Sequence, residues 1–60
     1  MLTVQELSYL FIEEQKIRIV CCNVPLFEGT FDNIPIKFGN FHVTRIETCD
    51  PYVILVELDG

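Results

Sequence analysis

The stretch Tyr52-Val53-Ile54-Leu55-Val56-Glu57-Leu58 decides the fold. It is the most apolar run in the chain and rich in β-branched residues, which favour a pleated strand. Val53, Leu55 and Glu57 point one way, and Tyr52, Ile54, Val56 and Leu58 the other. A strand apolar on both faces is central in its sheet, or is covered by a second chain. Just before it, Cys49-Asp50-Pro51 reads as a turn, with Pro51 at its second position. Phe41 to Thr48 is the strand on the other side of that turn. Val43 and Ile46 are three apart there, so a bulge near Thr44-Arg45 is needed to put both on one face.

The same period appears earlier. Ile17, Ile19 and Cys21 alternate with Lys16, Arg18, Val20 and Cys22, which predicts a strand whose first set faces the core. Asn23-Val24-Pro25 reads as a turn, since Asn accepts left-handed or side-chain-closed geometry and Pro25 cannot donate to a ladder. Leu26 to Phe31 then forms a second strand with its aromatic side inward. Gly29, between Phe27 and Phe31, signals a bulge or a close approach. Asp32 to Asn40 is a connection, broken by Pro35, whose Ile34, Ile36 and Phe38 pack over one end of the sheet.

At the N-terminus the period becomes helical. Thr3-Val4-Gln5-Glu6 fits a capping box, in which Thr3 and Glu6 each satisfy the other's backbone N–H. Val4, Leu7, Leu10 and Phe11 lie on one helical face. Glu13 and Glu14 oppose the helix dipole and end the helix there or one residue later. It is about three turns long at ~3.6 residues per turn. The expected fold is therefore α+β: a short N-terminal helix packed on an antiparallel sheet of about four strands, order αββββ, built from two hairpins in a single domain, residues 1–60.

Composition narrows the function classes. Nine acids against four bases give a formal net charge of −5. That argues against nucleic-acid binding, which needs a basic patch to release counterions from phosphate. It argues equally against an anionic membrane surface. The unbroken apolar runs reach only about five residues, far below the ~20 that span a bilayer. The chain opens at Met1 without a basic-then-apolar leader, and its three cysteines, Cys21, Cys22 and Cys49, are too few and too odd for a disulfide framework. The expectation is a cytoplasmic protein with reduced thiols.

The candidate chemistry is sparse. Cys21, Cys22, Cys49 and His42 are ligand types for zinc, but no CxxC knuckle exists and adjacent cysteines on one strand diverge. Cys22 or Cys49 with His42 and Asp50 would make a thiol dyad, but a sheet this small offers no cleft to exclude water. No glycine-rich phosphate loop is present. Neither catalytic, metal nor cofactor residues are assigned, and no enzyme activity is expected.

The strings Thr3-Val4-Gln5-Glu6-Leu7, Lys16-Ile17-Arg18-Ile19, Phe27-Glu28-Gly29-Thr30-Phe31 with Asp32-Asn33-Ile34-Pro35, and Val43-Thr44-Arg45-Ile46-Glu47 with the terminal strand carry a resemblance. In these strings and in element order, the chain resembles a group of small proteins encoded by phages and prophages of Gram-positive bacteria. The resemblance covers nearly the whole chain. It implies a cytoplasmic protein of the infected or lysogenic cell, and brings no activity or site residues. The paired cysteines and the His42 region are not features of that group.

One short helix cannot cover four strands, so apolar strand surface is left over, and a patch of that kind marks an interaction site. The expected function is a non-enzymatic protein-interaction module that self-associates as a homodimer or binds another protein through a sheet face or an edge strand. The candidate surface is Tyr9, Val20, Cys22, Phe38, Tyr52, Ile54 and Val56. The alternative is an acidic inhibitor of a host nucleic-acid enzyme or defence nuclease, with carboxylates set against a basic groove.

Overall fold

The computed structural model describes residues 2–59, and of Cys49 and Asp50 the backbone alone. Four strands form one sheet in the order β2-β1-β4-β3. They are β1 (Lys16–Cys21), β2 (Val24–Thr30), β3 (Val43–Asp50) and β4 (Val53–Leu58). Both expected hairpins are present, as antiparallel pairs β1–β2 and β3–β4. They join through a parallel pairing of β1 with β4, so the sheet is mixed and not purely antiparallel. The two most apolar strands thereby take the centre, the first of the two positions that residues 52–58 left open.

The parallel join has a cause in the connection. If β3 started beside the end of β2, a short loop would serve. Here β2 and β3 lie on opposite edges and run in the same direction. The chain must climb the length of the sheet between them, and a crossover of that kind takes about a dozen residues. Residues 31–42 supply it. They pass over one sheet face as two short 3-10 turns, η2 (Phe31–Asn33) and η3 (Ile36–Phe38). Of the three apolar residues expected to pack there, Phe38 is buried and Ile34 half-buried, but Ile36 is 96% exposed.

The N-terminal helix is corrected most. It is a single 3-10 segment, η1 (Gln5–Tyr9), and no α-helix occurs among the described residues. The capping box itself is formed. Thr3 N–H donates to Glu6 Oε1 at 2.9 Å, and Glu6 N–H to Thr3 Oγ1 at 3.4 Å. Two tertiary bonds then fix the start of the segment. Val4 N–H donates to the Phe41 carbonyl and Gln5 N–H to that of Gly39, each at 3.0 Å. These tie η1 to the crossover beside it. A 3-10 turn eclipses residues three apart, so Val4 and Leu7 share the inward face and both are buried. Leu10, expected on that face, lies where the chain turns away and is 64% exposed. Phe11 returns inward, half-buried, edge-to-face with Phe31 at 6.2 Å.

The core lies between these turns and one face of the sheet. Leu7, Ile17, Ile19 and Val56 are fully enclosed, flanked by Val4, Phe38, Val43 and Leu58. Ile17 sits opposite Ile54 and Ile19 opposite Val56 across the parallel pair. Cys21 is half-buried at the margin of this face. The bulge expected near Thr44-Arg45 is present, as a register shift between Val43 and Arg45. Gly29 is needed because the Phe27 ring lies over it: a Cβ there would stand 3.0 Å from Phe27 Cζ. The bulge in β2 falls instead at Leu26, where Phe27 pairs with Ile19 and Pro25 with Val20.

The first hairpin turn is also moved. Cys21 pairs with Val24, so the turn is Cys22-Asn23, and Pro25 lies within an edge strand where its missing N–H is tolerated. Both turn residues have positive φ, 54° at Cys22 and 66° at Asn23, the backbone of a type I′ turn.

Three outcomes test this account. Leu7→Ala should cost about 2–5 kcal/mol in urea unfolding, while Leu10→Ala should stay within about 0.5 kcal/mol of wild type; an α-helical stripe would make both costly. Because left-handed backbone suits Asn-Gly far better than Cys-Asn, the double substitution Cys22→Asn with Asn23→Gly should raise stability by about 1 kcal/mol. Glu6 is the third. Hydrogen bonding to the Thr3 N–H and hydroxyl lowers its pKa below the ordinary 4.5. A lowered carboxylate contributes stability fully above 4.5 and loses it as pH falls through the folded value. Urea midpoints between pH 6 and acid should therefore fall less steeply in Glu6→Gln than in wild type.

Candidate functional site

The residues expected to form one surface do not do so. Phe38 and Val56 are in the core, at 8% and 0% exposure, and Ile54 packs against it, so none of the three is free to meet a partner. The cause is the crossover, which covers the face that a single helix was expected to leave open. Val20 lies on the opposite, outer face and is half-buried. Tyr9 and Tyr52 do point outward, at 88% and 79% exposure. Cys22 is exposed at the hairpin tip.

The outer face carries the charge. Alternation places Lys16, Arg18 and Val20 of β1 there, beside Val53, Leu55 and Glu57 of β4. Arg18 Nε and Nη2 both donate to Glu28 Oε2, at 3.2 and 2.6 Å. Arg45 Nε lies 3.5 Å from Glu47 Oε1 and 3.5 Å from Glu57 Oε1. Exposed pairs of this kind add little stability. Half-buried Val53 and Leu55 sit among charged neighbours, and Glu28, Glu47 and Glu57 face arginines instead of forming an unopposed carboxylate array.

Exposed apolar side chains gather at the other end of η1. Tyr9, Leu10 and Ile12 follow one another there, and Ile12 is 68% exposed. A groove of about 430 Å³ runs from Ile12 to Pro51 and Tyr52, bordered by Glu14, Gln15 and Lys16. Gln15 builds this juxtaposition. Its Nε2 donates to the Tyr52 carbonyl and to that of Lys16, each at 3.1 Å, which pins the β3–β4 turn against the segment entering β1. A sequence reading passes over Gln15 because a lone glutamine in a loop carries no periodic signal. A second groove, about 380 Å³, separates η1 from the crossover and is lined by Val4, Ser8, Phe31, Ile34 and Ile36 among others. Its size suits a small ligand, but such sites owe their specificity to convergent polar groups, and Gln5 and Ser8 are the polar side chains on this lining.

The thiols are placed against expectation. Cys22 is not on the strand. Its left-handed backbone swings its side chain back beside Cys21, and the two Sγ atoms stand 4.0 Å apart. Burial pushes the Cys21 thiol above its ordinary 9.0, followed by its contact with Cys22 and the fields of Asp59 and Glu57. His42 is exposed and takes part through its backbone, bridging Thr3 and accepting from Asp59 N–H at 2.9 Å. The Cys49 and Asp50 side chains, also named for a dyad, lie outside those described. Among the described residues, no group of three or more His, Cys, Asp or Glu side chains converges on one point. No described helix is long and apolar enough to cross a membrane.

No family model, curated protein or solved structure matches this chain.

Proposed function

We propose that this chain is a non-enzymatic protein-interaction module that self-associates through its exposed Tyr9, Leu10 and Ile12 and the groove that joins Ile12 to Tyr52. The observation that carries the reading is the exposure of these side chains, 88%, 64%, 68% and 79%, in a protein of 60 residues. Tyrosine supplies large contact area with few rotatable bonds, and exposed tyrosines in an apolar setting anchor protein contacts. The Gln15 bonds hold Tyr52 and Ile12 beside one groove before any partner arrives, which reduces the ordering cost of association. The phage or prophage and cytoplasmic setting of this module rests on the resemblance of its short strings and on its unpaired cysteine count.

Two other contacts are less suited. The outer sheet face is crossed by ion pairs that a dry contact would have to desolvate. The edges are blunted. β2 carries Pro25 and a bulge at Leu26, and β3 shifts register twice, between Val43 and Arg45 and between Thr48 and Asp50. Bulges and proline on edge strands oppose strand addition.

Sedimentation equilibrium at micromolar concentrations tests the proposal. Wild type should show concentration-dependent dimerisation, while Ile12→Asp and Tyr9→Ser should each weaken it by roughly thirtyfold, the effect of losing a ~2 kcal/mol anchor, with unchanged circular dichroism. A wild type that stays monomeric throughout removes the self-association claim. A dimer insensitive to both substitutions places the contact elsewhere.

A further inference from the structure

We draw no further inference here: the strongest candidate, the apolar groove between η1 and the crossover that is lined by Val4, Phe31, Ile34 and Ile36 among others, is an unpartnered face, and nothing in the structure shows what covers it.

Discussion

The parallel pairing of β1 with β4 is the constraint on which the rest depends. It sets Ile17 beside Ile54 and Ile19 beside Val56, at the centre of the buried sheet face. A chain of this length hides about 60% of the surface its unfolded form exposes, so it must spend its most apolar strands in the middle. Once they pair in parallel, β2 and β3 become the edges, and the link between them must cross the sheet. That crossover displaces the work expected of a helix. Phe38 fills the core from the crossover, and η1 is reduced to a turn that contributes Val4 and Leu7.

The same arrangement decides which surfaces are left for use. The covered face loses Phe38, Val56 and Ile54 to the core. The outer face is bridged by Arg18 and Arg45 with their glutamates. Exposed apolar side chains remain at the end where η1 runs out, beside the β3–β4 turn, and on the crossover at Ile36. The hairpin tip at Cys22 is a separate consequence of register: because Cys21 pairs with Val24, only two residues are left to reverse the chain. Both are forced to positive φ, and the thiols meet as a result.

Much of this was legible in the residues themselves. The Thr3–Glu6 box and the bulge beside Thr44 are local and are found; the strand periods read over 16–22 and 52–58 are found one residue shorter each, and the turn read at Cys49-Asp50-Pro51 falls at Pro51-Tyr52, with Asp50 still in β3. The centrality of β4 followed from its two apolar faces. Of the residues named for a surface, Tyr9, Tyr52 and Cys22 are exposed and Val20 is half-buried on the outer face, while Phe38, Val56 and Ile54 go to the core. Those three are covered because exposure is a property of what packs on a residue, and the crossover's path is not written in its own period. The thiol pair was misread for a related reason. Alternation was carried one residue too far, through Cys22, when the hairpin register had already ended the strand.

The sequence by itself determined where the chain extends, where it turns and which side chains seek a core, because those depend on backbone preference and on neighbours within a few residues. The tertiary structure alone decided that the two hairpins join in parallel, that a capped helix start becomes a 3-10 turn, and that Gln15 draws Ile12 to Tyr52. Each of these rests on contacts between residues far apart in the chain. There the burial of one apolar face outweighs helix propensity, which is worth at most about 1 kcal/mol per residue outside proline.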